Sequence, residues 1–138
     1  MRFGLGTAAV LLVFGLGGLV ASQSGAAPKR AGTVTVTFGD KGSTVYLHTG
    51  ETLRVVLDST YWSMHPSSNA DVLPARGAVT VVPRLRGCVP GQGCGTVTAT
   101  FRASAPGSAT LSASRVSCGE ALRCTMGNGS FYVTVRVR

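Results

Sequence analysis

Four cysteines are the residues best suited to chemistry in this sequence, and they form two pairs with the same spacing. Cys88 and Cys94 enclose "VPGQG", while Cys118 and Cys124 enclose "GEALR". Such pairs can bind a metal, carry a redox reaction or form disulfides. Structural zinc sites usually place two cysteines two to four residues apart, and a thioredoxin-type redox site requires C-x-x-C. The five-residue gap fits neither pattern.

Both histidines lie far upstream of the cysteine pairs, so neither pair has a further metal ligand nearby in sequence. Four cysteines allow three pairings. We predict the local disulfides Cys88–Cys94 and Cys118–Cys124, because each pair encloses a glycine-containing stretch that can close into a short ring. The prediction therefore includes no metal and no cofactor.

The first 27 residues have the organisation of a secretory signal peptide. Arg2 precedes an apolar run from Ala8 to Val20, and small residues follow. The run is shorter than the roughly 20 residues that a spanning helix needs. We therefore predict a signal peptide over residues 1–27 and a secreted chain, in a compartment where cysteines oxidise. The alternative is an uncleaved leader that holds the chain in a membrane.

The charge of the chain restricts its partners. The sequence contains thirteen Arg and Lys residues and five Asp and Glu residues, which gives a net charge of +8. No run of five or more basic residues occurs, whereas nucleic-acid sites need a clustered basic patch, often with aromatic stacking partners. We therefore predict no nucleic-acid partner. A basic secreted protein could still be attracted to an acidic polymer of the cell envelope.

β-Strands must position these groups, because apolar and polar residues alternate along the chain beyond the leader. Alternation is clearest at 52–58, 95–103, 108–115 and 130–137. Every second residue of these strands, counted from Leu53, Val97, Ala109 and Phe131, should face the core. Shorter strands are predicted at 33–38 and 78–83, and another within 62–73. About seven such strands predict an all-β, immunoglobulin-like antiparallel β-sandwich, as a single domain over residues 28–138.

Alternating strand direction places three long connections at the same end of the sandwich. If strand 52–58 runs upward, the upper connections are 59–69, 84–94 and 116–129. They contain both cysteine pairs and the single tryptophan, whereas the tight turn "SAPGS" lies at the opposite end. We predict that the upper end is the binding end.

The polar residues predict no enzymatic activity. Acid–base catalysis by two carboxylates needs a suitably placed pair. The five acids are scattered, and only Asp58 and Glu120 fall at the predicted loop end. His65 lies near Ser63 and Ser67, but that spacing matches no arrangement of nucleophile and base.

Residues 44–138 resemble the chagasin-like inhibitors of papain-type cysteine proteases. "GETLRVVLDSTYW" is similar to the family's opening Gly-Asp/Glu strand and the loop after it. "GQGCGTVTATFRASAPGSATLSASR" is similar to its glycine-rich loop and the strands that follow, and "FYVTVRV" to its closing strand. The resemblance implies an immunoglobulin-like sandwich whose three loops at one end block the protease cleft.

A protease inhibitor of this kind would use contact residues in these three loops. Trp62 and Tyr61 would be aromatic anchors, with Gly91 and Gly93 allowing close backbone approach; the full predicted set is Thr60, Tyr61, Trp62, Gly91, Gly93, Arg115 and Arg123. Aromatic residues and arginines commonly anchor interfaces. We expect Trp62 to be an exposed contact, and the alternative is a core position in the sandwich.

Two functions remain open from the sequence. The first is inhibition of a papain-type cysteine protease. The second is an envelope-binding, immunoglobulin-like module without inhibitory activity, because the loops lack the family's Asn-Pro-Thr-Thr-Gly and Arg-Pro-Trp or Arg-Pro-Phe motifs.

Overall fold

The computed structural model describes residues 31–138, so the predicted signal peptide and residues 28–30 lie outside it. The strands are β1 (Thr33–Val36), β2 (Thr44–Leu47), β3 (Thr52–Asp58), β4 (Ser63–Met64), β5 (Thr80–Pro83), β6 (Gly95–Arg102), β7 (Gly107–Ser114) and β8 (Ser130–Val137). A 3-10 helix, Phe38–Asp40, separates β1 from β2. None of the helical structure in residues 31–138 has the length and apolar character that crossing a membrane requires.

The strands form two four-stranded sheets around a hydrophobic core, which confirms the predicted immunoglobulin-like sandwich. One sheet has the order β1-β3-β6-β5 and the other β2-β8-β7-β4. Both sheets are mixed, because β1 pairs parallel with β3 and β2 pairs parallel with β8. Neither pair is joined by a hairpin, so antiparallel pairing is not imposed on them. The remaining strand pairs are antiparallel, as predicted.

The alternation of apolar and polar residues correctly predicted which side chains of the four long strands are buried. All the predicted inward residues are buried: Leu53, Val55 and Leu57 on β3; Val97, Ala99 and Phe101 on β6; Ala109, Leu111 and Ala113 on β7; and Phe131, Val133, Val135 and Val137 on β8. The strand register agrees with this assignment. Leu57 lies opposite Val97, and Leu111 lies opposite Val133, so paired apolar residues share the inner face of each sheet.

Three edge strands differ from the sequence prediction. β1 ends at Val36 and not at Phe38, because Phe38 begins the 3-10 helix. β2 is absent from the predicted strands, because it is short and buries only Leu47 completely. β5 falls within the predicted apolar strand 78–83, but Val79, Val81 and Val82 are exposed. Val81 lies opposite the buried Val97 and so belongs to the inner face. It stays exposed at the sheet edge, where the facing sheet ends in the two-residue β4.

Candidate functional site

Three loops meet at one end of the sandwich, as the strand directions predict. We name them loop 1 (59–62), loop 2 (84–94) and loop 3 (115–129). Loop 1 is shorter than the predicted connection, because the chain turns down beside β7 after Trp62. The His65 and Ser68 amides donate to carbonyls of that strand at 2.9 and 3.1 Å.

One carbonyl oxygen joins all three loops. The Tyr61 hydroxyl of loop 1 donates to the Gly91 carbonyl of loop 2 at 2.8 Å. The Glu120 amide of loop 3 donates to the same oxygen at 3.0 Å. A second bond joins loops 1 and 2, from the Thr60 amide to the Gly93 carbonyl at 2.8 Å. The three loops therefore form one hydrogen-bonded unit.

The two predicted glycines allow close approach between the loops themselves. Gly93 has φ +63°, and a Cβ there would overlap the Tyr61 ring. Gly91 has φ +88°, and a Cβ there would lie 3.8 Å from the Glu120 Cα. Both conformations favour glycine, since other residues rarely adopt positive φ. Gly93 thus allows the Tyr61 ring to lie close to the loop 2 backbone, whereas a Cβ at Gly91 would make only an ordinary contact with Glu120.

Both predicted disulfides are present, Cys88–Cys94 and Cys118–Cys124, and residues 31–138 contain no free cysteine. The loop 3 ring is also hydrogen-bonded internally, from the Cys118 amide to the Leu122 carbonyl at 2.9 Å. Closing a seven-residue ring stabilises the fold by about 2.4 kcal/mol in the chain-entropy model. The covalent bond and the internal hydrogen bond together restrict the shape of this ring.

The expectation that Trp62 is an exposed contact is wrong, because its side chain belongs to the core. Trp62 is only 4% exposed. Its indole N–H donates to the Asp58 carbonyl at 2.9 Å, so the polar atom is satisfied inside the protein. The ring also packs against Phe38 of the 3-10 helix, with 5.7 Å between ring centroids.

Arg115, a predicted polar contact, packs against Trp62. Its guanidinium carbon lies 4.6 Å from the centroid of the indole ring, within the range of a cation–π interaction. Its Nε donates to the Asn128 carbonyl at 3.0 Å. Burial lowers the pKa of Arg115 from its ordinary value. These contacts fix the base of loop 3 to the core.

Loops 2 and 3 expose five large hydrophobic side chains. Leu85 (85% exposed) and Val89 lie on loop 2, while Val116 (86%), Leu122 (66%) and Met126 (92%) lie on loop 3. These five, which we call the aliphatic surface, are half of the ten large exposed hydrophobic residues in the described chain. Val116, Leu122 and Met126 line the same pocket on loop 3, whereas Leu85 and Val89 lie on loop 2.

The sequence prediction missed the aliphatic surface, because it favoured aromatic residues and arginines as interface anchors. One signal was available. A seven-residue ring is too small to enclose its own Leu122, so this side chain had to be exposed or covered by another segment. Among the predicted contacts, Arg123 is exposed, whereas Thr60 and Tyr61 are partly buried among the loops.

Residues 31–138 show no cluster of metal-binding side chains. They contain no group of three His, Cys, Asp or Glu side chains placed to hold a metal ion. His65 lies 3.0 Å from the hydroxyl of Ser114, not beside Ser63 or Ser67.

No family model and no curated protein matches the sequence. The structure does match the crystal structure of the cysteine protease inhibitor EhICP2 from Entamoeba histolytica. The TM-score is 0.57 at 10% identity, and the match covers 80% of this chain and 99% of that one. This chain shares the fold of EhICP2. The fold implied by the chagasin-like resemblance is therefore confirmed.

A second solved structure has the same architecture. The solution structure of amebosin matches with a TM-score of 0.53 at 14% identity, covering 78% of this chain and 98% of that one. At sequence identities this low, the two matches show a shared fold and nothing more. Both matches cover almost the whole of the solved chain.

Proposed function

We propose that this protein is a secreted, non-catalytic inhibitor of papain-type cysteine proteases, which blocks the substrate cleft with loops 1 to 3. The observation that carries the proposal is the junction at the Gly91 carbonyl, because it joins three loops into one surface at one end of the sandwich. The fold shared with EhICP2, a cysteine protease inhibitor, supports the choice of target.

Inhibition of this kind needs only tight occupation of the cleft. The aliphatic surface supplies apolar area for that contact, and burying one such side chain contributes about 1.5–3 kcal/mol. Rigid loops lose little conformational entropy on binding, so more of this energy becomes affinity. The disulfide rings and the Gly91 junction provide that rigidity.

The structure suggests a division of roles among the loop residues. We propose that Leu122 and Arg123 contact the protease, because both are exposed on the loop 3 ring. Tyr61 and Gly93 would hold the loops in place, and Arg115 would fix loop 3 to the core. Trp62 would support the site from inside the sandwich.

Secretion is part of the proposal. It is supported by the organisation of residues 1–27 and by the two disulfides, since disulfides persist mainly in oxidising compartments. An inhibitor outside the cell would encounter secreted proteases, and its disulfides would remain oxidised there.

The test is inhibition of papain by the purified mature chain, with a fluorogenic peptide as substrate. We expect reversible inhibition that is competitive with the substrate, and no effect on the serine protease trypsin. Leu122→Ala should weaken inhibition, whereas the matched variant Tyr46→Ala should not. Tyr46 is similarly exposed, but it lies on β2, outside the loops.

The alternative function, binding to the cell envelope, predicts a different result with the same purified protein. An envelope-binding module would leave papain-type proteases active at micromolar concentrations of the protein and would be retained on isolated acidic envelope polymer. That pair of observations would overturn the proposed inhibition.

A further inference from the structure

Arginines accompany the aliphatic surface on loops 2 and 3. Arg84 and Arg86 flank Leu85 in loop 2, and Arg123 follows Leu122 in loop 3. The three arginines are exposed. The loop end therefore combines exposed aliphatic groups with exposed positive charges, which is the composition of many protein interfaces, where charged groups surround an apolar centre.

These charges are not neutralised within the protein. Among residues 31–138 the only ion pair joins His48 and Glu51, at 3.6 Å, and it involves no arginine or lysine. Loops 2 and 3 contain one acidic residue, Glu120, against four arginines. One of the four, Arg115, is partly buried against Trp62, which leaves three exposed guanidinium groups available to a partner.

We infer that the partner protease carries acidic residues around its cleft, and that Arg84, Arg86 and Arg123 select it by charge. This inference rests on the proposed inhibitory function and specifies the kind of protease. Opposite charges at the edge of an interface mainly accelerate association, while like charges exclude wrong partners. The aliphatic surface would then provide affinity, and the arginines would provide selectivity and speed.

The charge pattern favours a protease over an extended polyanion as the partner. Binding to a polyanion requires only positive charge, and its strength scales with the number of neutralised anionic groups. Here the arginines alternate with Leu85 and Leu122, which are exposed in the same loops. Exposed leucines contribute to a contact only where the partner offers apolar surface, as a peptide-binding cleft does.

The inference is tested with two variants of equal charge. Arg84→Gln/Arg86→Gln/Arg123→Gln removes three positive charges from the loop end. The control, Arg54→Gln/Arg102→Gln/Arg136→Gln, removes three exposed charges from the outer faces of the sheets. Association and dissociation rates are measured by stopped-flow inhibition of one acidic and one basic papain-type protease, at low and high salt. Thermal unfolding of each variant verifies that it is folded.

We expect the wild type to associate faster with the acidic protease, and the loop variant to lose about tenfold in that association rate at low salt. The control should lose much less, and dissociation rates should hardly change. Equal association rates for both variants and no salt dependence would overturn the charge selection while leaving inhibition intact. If the wild type inhibits neither protease, the proposed function fails and this inference fails with it.

Discussion

Tyr61 and Gly91 are joined by a hydrogen bond between loops that lie 30 residues apart in sequence, with 2.8 Å between the phenol and carbonyl oxygens. The Glu120 amide reaches the same carbonyl from loop 3. Tyr61 lies in neither disulfide ring. Its hydroxyl nevertheless donates to Gly91, the residue of the loop 2 ring that also accepts the hydrogen bond from the loop 3 ring. The position of loop 1 is therefore coupled to the positions of loops 2 and 3.

Tyr61→Phe tests this coupling, because it keeps the ring on Gly93 and removes only the hydroxyl group. We expect the free energy of unfolding to fall by about 0.5–1.5 kcal/mol, the net value of a typical hydrogen bond. Amide exchange at Glu120 should accelerate as loop 2 loosens. Tyr132→Phe is the control, since Tyr132 is exposed on β8, outside the loops. Equal Glu120 exchange in both variants would show that the phenol does not position the rings.

Gly93→Ala tests the close approach between Tyr61 and loop 2. The added methyl group would meet the Tyr61 ring, and φ is +63°. Gly77→Ala separates the two effects, because Gly77 has φ +74° but no atom within 4 Å of the added Cβ. Both variants should lose about 1–2 kcal/mol of stability from the left-handed backbone. Gly93→Ala should lose clearly more in urea unfolding, and equal losses would contradict the steric argument.

The two disulfides provide a matched comparison, because both rings contain seven residues. Removing either ring closure, as Cys88→Ala/Cys94→Ala or Cys118→Ala/Cys124→Ala, should cost about 2.4 kcal/mol of unfolding free energy in the chain-entropy model. Inhibition should respond unequally, since loop 3 carries three of the five residues of the aliphatic surface. We expect the second variant to inhibit papain more weakly. Equal inhibition by the two variants would show that the loop 3 ring has no special role.

The sequence predicted the long strands well, because β3, β6, β7 and β8 each bury one complete face. Strand direction then placed the loops at one end correctly. Trp62 was predicted wrongly for a physical reason. Its ring packs against Phe38, which is 24 positions away in the 3-10 helix, and against Arg115 of loop 3. Local sequence indicates that an aromatic residue follows a strand, but only the packing of distant segments decides whether it is covered.

The aliphatic surface was harder to predict than the fold. Leu122 and Val116 are ordinary aliphatic residues in sequence, and alternation would assign them to a core. The disulfide and the bridge between Ser117 and Arg123 hold this segment away from both sheets. Exposure of Leu122 therefore follows from the closed ring that carries it, and not from composition.

Cleavage of the predicted signal peptide can be measured directly on the secreted protein. We expect the mature chain to begin between Gln23 and Pro28, since small residues fill this stretch. Intact-mass spectrometry of the secreted protein, with its disulfides oxidised, would locate the first residue. Membrane-held protein that retains Met1 would establish an uncleaved leader.

Trp62→Ala and Leu122→Ala should give opposite results, because one residue is buried and the other is 66% exposed. Removing the buried indole should cost about 3–5 kcal/mol of unfolding free energy. It would leave a cavity beside Phe38 and remove the ring on which Arg115 packs. Inhibition by the folded fraction should change much less than stability does. Urea unfolding and papain inhibition, measured on the same preparations, give both quantities.

Leu122→Ala should leave unfolding unchanged within about 0.5 kcal/mol, as is usual for surface substitutions. It should weaken protease binding by about 2 kcal/mol if Leu122 lies at the centre of the contact. Because the side chain stands on a closed ring, its removal should not disturb the backbone that carries the neighbouring residues. A Leu122→Ala variant that inhibits like the wild type, beside a Trp62→Ala variant whose folded fraction does not inhibit, would move the contact from the aliphatic surface to the base of loop 1.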